Sequence, residues 1–292
     1  MKSCITLTFL ITIFLHLPCA PRCDAVEVIV VADARLKPVT EMVAGIRKTL
    51  RASLRIYSPA DVKDSLPRIM EREGARVVIA LGREALTEAV KLPPAIPVIY
   101  DLVVTPPAIS RPNTVGFYMA TPAREYLDLI TTYLQSIRKI AVIGSREQLG
   151  ILAGNATPQM VTYGVRNTFE MVSTLRQIEQ GNAILLLPDA SILTPTAMEE
   201  AYLLSFRKGI PLLGISERQV KEGALLALVV DTVQVGHVIG DYASKALRGA
   251  SMGHPPPAPP RRFELYVNTE TARKMGIRLP DEMLRTARRV YP

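Results

Sequence analysis

Two stretches of sequence decide the fold of this chain: AILLLPDASILTP at residues 183–195 and IPLLGISERQVKEGALLALVVD at residues 210–231. Together they contain three apolar runs, each ending in small or polar residues, and a helical span over 195–208 separates the first run from the second. Apolar runs of this length with an intervening helix are typical of buried strands in a parallel sheet. The two stretches therefore predict an α/β fold.

Polar residues follow the three apolar runs at the points where the predicted strands end. Asp189 and Ser191 follow the first run, Ser216 and Glu217 follow the second, and Asp231 follows the third. In open parallel sheets, ligands bind at the carboxyl ends of the strands. We therefore take these five residues as candidate ligand contacts. Asp189 or Ser191 could instead cap the helix near Pro195, and Ser216 and Glu217 could instead cap the short helix that they begin.

The same alternation of apolar runs and helical spans covers most of the chain. One βα series precedes a long helix predicted at 121–136, and a second series precedes another long helix at 233–247. This order predicts two Rossmann-like lobes with mostly parallel sheets and right-handed crossovers. We assign residues 26–120 and 250–292 to lobe 1 and residues 121–249 to lobe 2, including the helices that cross the hinge.

The proline-rich sequence PPPAPP at residues 255–260 interrupts the second series. Consecutive prolines favour a stiff, extended chain. We interpret the segment as a crossover or a surface spacer, and a ligand for a proline-recognition domain is the alternative. The tail after Pro260 is then expected to return and cover lobe 1.

The first 25 residues have the features of a secretory signal peptide. A lysine follows the initiator methionine, residues 5–17 are apolar, and small residues surround a cleavage point after Ala25. The apolar segment is shorter than the roughly 20 residues that span a membrane. We predict cleavage after Ala25 and a periplasmic or otherwise exported protein; an uncleaved anchor is the alternative. The sequences around Cys19 and Cys23 do not favour a lipid anchor.

Composition excludes several classes of protein. All three cysteines, at positions 4, 19 and 23, lie in the predicted signal peptide, so the exported chain would have no disulfide, cysteine nucleophile or thiolate metal site. The net charge is +8, but the basic residues are spread over the predicted helices without a zinc-finger spacing or an aromatic-basic motif. We expect no nucleic-acid partner, no metal and no cofactor.

Four motifs carry a resemblance to a known family. They are RVVIALGREA at 76–85, SERQVKEGALLALVVD at 216–231, VGHVIGDYASKALRG at 235–249 and FELYVNTETARKMGIRLP at 263–280. In this order they resemble the ABC-transporter substrate-binding proteins related to tryptophan-binding lipoproteins. The resemblance covers most of the exported chain. It implies a periplasmic-binding-protein fold of type I with three crossovers between the lobes.

The resemblance also implies a function. Members of this family bind a small solute in the cleft between their lobes and deliver it to ABC permease subunits in the inner membrane. We expect a monomer that binds an amino-acid-like solute or a small organic anion. Such a solute needs a receptor for its carboxylate and, if it is an amino acid, an acidic receptor for its ammonium group.

Five further residues are candidates for these receptor roles. Gly82 lets the backbone approach a ligand, and Arg83 could pair with an anion. Ser145 begins a helix whose N-terminus could contact an anion. Asp33 and Asp101 each follow a predicted strand of lobe 1. The structural alternatives are a tight turn at Gly82, a solvated arginine at 83, a helix cap at Ser145 and a helix or turn cap at Asp101.

Three loops depart from the sequences usual in the family: residues 32–35, 100–106 and 188–190. They would line the cleft, so the identity of the solute is not carried over. Asp231, beside a hinge helix, is the preferred ammonium or hydroxyl receptor. The departures leave open an alternative function, a periplasmic sensor or interaction module on the same fold that does not take part in transport.

Catalytic motifs are not evident in the sequence. After removal of the signal peptide only His237 and His254 remain, and neither belongs to a metal-spaced cluster or to a Ser–His–acid set. No glycine-rich phosphate loop occurs. We therefore do not expect an enzyme.

Overall fold

The structure is a computed structural model that describes residues 26–104, 109–154, 157–179, 181–253 and 255–292. The predicted signal peptide, Thr105, Pro106 and His254 lie outside these ranges. Across the described ranges, no helix has both the length and the apolar character needed to cross a membrane.

The first half of the chain forms a five-stranded sheet flanked by helices. Its strands are β1 (Val28–Ala32), β2 (Leu54–Tyr57), β3 (Val77–Leu81), β4 (Val98–Asp101) and β5 (Thr114–Gly116). Its helices are α1 (Lys37–Thr49), α2 (Pro59–Val62), α3 (Leu66–Glu73) and α4 (Arg83–Ala89). The strand order is β2-β1-β3-β4-β5, and every neighbouring pair is parallel. Helices cover both faces, so β1 and β3 are buried along their whole length.

The second sheet has seven strands. They are β6 (Lys139–Gly144), β7 (Met160–Gly164), β8 (Asn182–Leu186), β9 (Leu212–Gly214), β10 (Leu226–Val230), β11 (Phe263–Asn268) and β12 (Arg289–Tyr291). The accompanying helices are α5 (Ala123–Tyr133), α6 (Arg146–Gln148) with a π-helical turn (Leu149–Ala153), α7 (Thr168–Gln177), α8 (Pro195–Lys208), α9 (Glu217–Glu222), α11 (Thr269–Lys274) and α12 (Asp281–Thr286). Helix α10 (Thr232–Leu247) follows β10 in the chain but packs on α1, one of the helices beside the other sheet. The strand order is β12-β11-β10-β9-β8-β6-β7.

The predicted fold class is confirmed. The two stretches that open the sequence argument form β8, β9 and β10, which lie side by side and parallel within the second sheet. Of the pairs in this sheet, the one between β10 and β11 is antiparallel. We call the body built on the five-stranded sheet lobe 1 and the body built on the seven-stranded sheet lobe 2.

Three connections join the lobes. The first, residues 117–122, runs from β5 to α5, the second is Asp231 between β10 and α10, and the third is 259–262 before β11. The second and third are hydrogen-bonded to each other, because the N–H of Asp231 donates to the carbonyl of Arg262 at 3.2 Å. Three crossovers are what the type I fold implies.

The C-terminal tail lies in the other lobe from the one that the sequence predicted. The prediction that residues 250–292 cover lobe 1 is wrong for β11 and β12, because β11 pairs with β10 and β12 pairs with β11. Leu265 and Val267 of β11 are buried in the core of lobe 2. Burial of these apolar side chains explains why the tail extends this sheet. The boundary near residue 120 stays a prediction.

Helix α10 was assigned to lobe 2 from the sequence, and this is also wrong. It packs on α1 and its buried face belongs to a lobe 1 core. The two helices touch at glycines: a Cβ on Gly236 would lie 2.2 Å from the carbonyl oxygen of Met42, and one on Gly45 would lie 2.1 Å from that of Val233. This close crossing requires the absence of side chains at both positions and fixes the hinge helix to lobe 1.

The proline-rich segment runs beside β5 before it crosses to lobe 2. The N–H of Ala258 donates to the carbonyl of Gly116 at 2.9 Å, and the N–H of Tyr118 donates to the carbonyl of Ala258 at 3.3 Å. Prolines cannot donate such bonds, which is why an alanine stands at this point of contact. The interpretation of this segment as a crossover agrees with this path.

Candidate functional site

The carboxyl ends of both sheets meet at the hinge. Strands β5 and β10 end where the first two connections begin. The hydroxyl of Tyr126, in α5, donates to the carbonyl of Gly214 at the end of β9 at 2.7 Å, and Thr121 donates to the carbonyl of Leu228 at 2.9 Å. The loops that follow β1, β3 and β4 in lobe 1 and β6, β8 and β9 in lobe 2 therefore form the candidate site.

In lobe 1, Gly82 and Asp101 are adjacent. The N–H of Gly82 donates to the carbonyl of Asp101 at 2.8 Å, which joins the loops after β3 and β4. Gly82 has φ 103°, and nothing lies within 4 Å of a Cβ built on it, so its backbone angle rather than lack of space requires glycine. Arg83 begins α4, is exposed, and forms no ion pair within the described part of the chain. Its guanidinium is available to an anion.

Asp101 is a buried acid without a complete set of partners. It is 1% exposed, Oδ1 accepts the N–H of Leu102, and Oδ2 has no hydrogen-bond partner in the described residues. Burial raises the pKa of Asp101 to about 7. A carboxyl in this position needs either a proton or a hydrogen-bond donor that the surrounding residues do not supply.

Asp33 is already neutralised by a neighbour. Its carboxylate accepts Nε and Nη2 of Arg35, each at 2.8 Å, in a bidentate pair. The hydrogen bond from Arg35 lowers the pKa of Asp33 to about 2. The loop after β1 therefore presents an exposed ion pair rather than a lone acid. Sequence reasoning singled out Asp33 and missed Arg35, two positions away.

In lobe 2, the loops after β6 and β8 are joined by a residue that sequence reasoning missed. Gln148 is 4% exposed, its amide donates to the carbonyl of Pro188, and its Oε1 has no partner among the described residues. Ser145 caps α6 by accepting the N–H of Gln148 at 3.4 Å. Asp189 accepts both the N–H of Ser191 at 2.9 Å and its hydroxyl at 2.6 Å. The structure thus brings Ser145, Asp189 and Ser191 together.

Ser216 and Asp231 are both helix caps, an alternative that the sequence left open for Ser216 and that was not foreseen for Asp231. Ser216 accepts the N–H of Gln219 at 3.3 Å at the start of α9, and Asp231 accepts the N–H of Gln234 at 3.1 Å at the start of α10. Oxygen atoms in these caps keep further acceptor capacity. Their ligand roles stay predictions.

Glu217 has three partners of its own in lobe 2. It accepts the hydroxyl of Tyr291, and it lies 3.2 Å from the ammonium of Lys221 and 3.4 Å from the guanidinium of Arg289. These partners, Tyr291 first, lower the pKa of Glu217. The carboxylate ties α9 to β12. This structural role makes Glu217 the weakest of the ten candidates.

The candidate site contains a cation that can bind an anion and oxygens that can accept hydrogen bonds from a ligand. In the part of the chain that the structure covers, no group of three or more His, Cys, Asp or Glu side chains could hold a metal ion. An exposed arginine lies on lobe 1, and two buried oxygens next to the candidate loops, Oδ2 of Asp101 and Oε1 of Gln148, have no hydrogen-bond partner among the described residues. This set suits a small polar solute with both an anionic group and N–H donors.

Three solved structures of bacterial proteins share the fold of this chain. The ABC domain protein from Streptococcus pneumoniae in complex with L-Trp is 17% identical, with a TM-score of 0.58, and the match covers 91% of this chain and 99% of that one. A conserved domain protein from Vibrio cholerae is 18% identical, with a TM-score of 0.58 and the same coverage of both chains. A substrate-binding protein with adhesive properties from Clostridium difficile, in its ligand-free, open structure, is 15% identical. Its TM-score is 0.65, and the coverage of both chains is again the same.

Family membership follows from the sequence comparison. No curated protein matches the chain. The sequence model described as ABC transporter substrate binding protein matches residues 61–291, well over half of the chain. The resemblance inferred from the motifs is thereby confirmed. The chain belongs to the ABC transporter substrate-binding protein family.

Proposed function

We propose that this protein is an exported solute-binding protein of an ABC importer and that it binds a small amino-acid-like solute or organic anion between its lobes. The observation that carries the proposal is the convergence of polar loops from the carboxyl ends of both sheets at a three-segment hinge. Binding energy would shift an equilibrium between open and closed lobes. The closed form would then bind permease subunits in the inner membrane.

The chemistry of the site favours a zwitterion. Arg83 is the candidate partner for a carboxylate, because it is exposed and unpaired within the described residues. Oδ2 of Asp101 and Oε1 of Gln148 are acceptors that lack a donor. Leaving a buried acceptor without a donor costs about 1–3 kcal/mol, which a solute ammonium group would recover once the adjacent loops move to admit it. The relative from Streptococcus pneumoniae binds one such zwitterion, L-Trp.

The remaining candidates have supporting roles in this proposal. Ser145, Asp189, Ser191 and Ser216 would supply hydroxyl and backbone contacts from lobe 2, and Gly82 would supply backbone contact from lobe 1. Asp33, Glu217 and Asp231 already have partners, so each would act through the group it binds or caps. The protein would act as a monomer, without cofactor and without catalysis.

A ligand screen tests the proposal. Purified protein is heated with each of the common amino acids and with small organic anions, and compounds that raise the melting temperature are titrated by calorimetry. We expect at least one compound to bind. Arg83→Ala should weaken the affinity for that compound about tenfold or more, since hydrogen bonds to charged groups contribute about 1.5–3 kcal/mol to binding. Arg207→Ala, an exposed arginine at the end of α8, is the matched control and should bind as the parent does.

The sensor alternative is separated by a second measurement. A transport protein loaded with solute should stimulate ATP hydrolysis by its permease–ATPase complex in vesicles, and the unloaded protein should stimulate it less. Solute binding without any stimulation would favour the sensor or interaction module. A screen in which no compound raises the melting temperature or binds in calorimetry would remove the support for both solute-binding functions.

A further inference from the structure

The hinge contains a cavity that lies apart from the loops of the candidate site. It has a volume of about 450 Å³ and is enclosed by α10 on one side and by residues 258–262 on the other, with Phe117 also in its lining. We call it the hinge cavity. Its volume falls in the range of small-molecule sites, which is roughly 300–1,000 Å³.

Part of the hinge cavity is apolar and aromatic. The rings of Phe117 and Tyr242 meet edge to face, with centroids 5.7 Å apart and an angle of 67° between their planes. Val238 lines the same space and is 36% exposed. Pro259 and Pro260 complete this side. A flat apolar group could replace water against these side chains.

The charged part of the hinge cavity is cationic. Lys245, Arg261 and Arg262 line it against a single acid, Asp241. All four are exposed, and within the described residues none of them forms an ion pair. The ammonium of Lys245 lies 5.4 Å from the ring centroid of Tyr242, directly beside the aromatic part. Three cations against one acid give a positive field that complements an anion.

The hinge cavity is lined by residues of two of the three connections between the lobes and lies beside the other one. Phe117 begins the first connection, Gln234 donates its N–H to Asp231 of the second, and Pro259 to Arg262 form the third. The hydrogen bond from the N–H of Asp231 to the carbonyl of Arg262 joins the second connection to the third. A rotation of the lobes has to change the torsion angles of these segments, so the shape of the cavity depends on the angle between the lobes.

We infer that the hinge cavity binds a small organic anion with a flat apolar body, such as an aromatic carboxylate or sulfonate, and that its occupancy favours the lobe arrangement of this structure. This ligand is distinct from the solute of the candidate site. Because it contacts the first and third connections and the first turn of α10 in one geometry, it binds that geometry better than others and shifts the equilibrium toward it. The site would therefore adjust the affinity of the protein for its solute.

An aromatic sulfonate probe tests the binding step. We expect 1-anilinonaphthalene-8-sulfonate to bind the folded full chain with saturable, one-to-one fluorescence enhancement that weakens as salt is added. Val238→Glu places a negative charge in the cavity wall and should weaken this affinity at least tenfold. Val238→Gln, of nearly equal size and without charge, should change it less than threefold. Circular dichroism and the melting temperature confirm that both variants fold.

Three outcomes overturn the binding step: probe fluorescence that does not saturate, equal weakening by the two Val238 variants, or no weakening by either. As a second variant, Lys245→Glu should also weaken the affinity for the probe at least tenfold. Arg207→Glu, which changes an arginine outside the cavity, should leave the affinity for the probe unchanged. These results do not depend on whether the candidate site binds a solute, so a failure here leaves the proposed function untouched.

Hydrogen exchange tests the coupling step. Saturating probe should slow exchange of the Asp231 and Ala258 amides several-fold in the parent protein, because both donate to backbone carbonyls at the hinge. The same probe concentration should have little effect on Val238→Glu. Probe binding with unchanged exchange at both amides would refute the coupling while leaving the site in place.

Discussion

Replacing Asp101 by asparagine should remove a pH-dependent loss of stability. In the native protein, burial raises the pKa of Asp101 from its ordinary value near 3.8 to about 7. Between these two values the folded state keeps the proton while the unfolded state has lost it. Stability is therefore fully present below pH 4 and falls as the pH rises through about 7. Asparagine does not titrate, so the variant lacks this term.

The size of the effect follows from the shift of about three pKa units. Each unit corresponds to about 1.4 kcal/mol, so the full term is about 4 kcal/mol. Most of it develops between pH 4 and pH 8. The constant cost of burying the asparagine amide does not matter, since only the pH dependence of the difference between parent and variant is used. Oδ1 still accepts the N–H of Leu102 in the variant.

Urea unfolding at several pH values measures this difference. Relative to the parent, Asp101→Asn should gain about 4 kcal/mol of unfolding free energy as the pH goes from 4 to 8. Asp128→Asn, an exposed aspartate on α5 that lies 3.7 Å from Arg124, is the matched control and should show little change. Parallel pH curves for the parent and Asp101→Asn would refute the assignment of Asp101 as a buried acid that stays protonated near neutral pH.

Two further variants test contacts within lobe 1. Gly236→Ala should cost about 1–3 kcal/mol in urea unfolding, because its Cβ would lie 2.2 Å from a carbonyl oxygen of α1, whereas Gly150→Ala has nothing within 4 Å and should be close to neutral. Arg111→Met should cost a similar amount, because the buried guanidinium donates to the carbonyls of Pro93 at 2.6 Å and Ile96 at 2.7 Å. Equal stability of Gly236→Ala and Gly150→Ala, or an unchanged Arg111→Met, would contradict these contacts.

The sequence was sufficient for the strands other than β12, where a helix from Pro280 was expected to end the chain, and for the edge of the sheet where the candidate site lies. Strands such as β8 and β10 are covered by helices on both faces, so they form continuous apolar runs that differ clearly from the helices between them. The carboxyl ends of parallel strands share one edge, so polar residues such as Asp189 could be placed there without coordinates. The family resemblance rested on motifs from this same part of the chain.

The sequence could not decide contacts between distant segments. Strand β11 follows a proline-rich connection and could have joined an edge of either sheet; its antiparallel pairing with β10 depends on the hinge geometry. The spacing of Gly236 and Gly240 on α10 is visible in the sequence, but their partner α1 is nearly 200 residues away. For the same reason α10 was assigned to the wrong lobe.

Individual site residues were the hardest to predict, because their partners decide their roles. Glu217 and Asp101 both follow apolar runs, but only the structure shows that Tyr291, 74 positions later, binds Glu217. It also shows that Oδ2 of Asp101 has no partner in the described residues. Gln148 was missed, since nothing in the sequence distinguishes a buried glutamine in a first helical turn from an exposed one.

A crystal structure with the best compound from the ligand screen tests the central claim most directly. The account predicts that the compound lies between the loops after β3 and β4 of lobe 1 and the loops after β6, β8 and β9 of lobe 2. Its anionic group should lie within hydrogen-bond distance of Arg83 or the N–H groups beside it. A compound bound elsewhere, or a space between these loops that is filled by the protein's own side chains, would contradict the account.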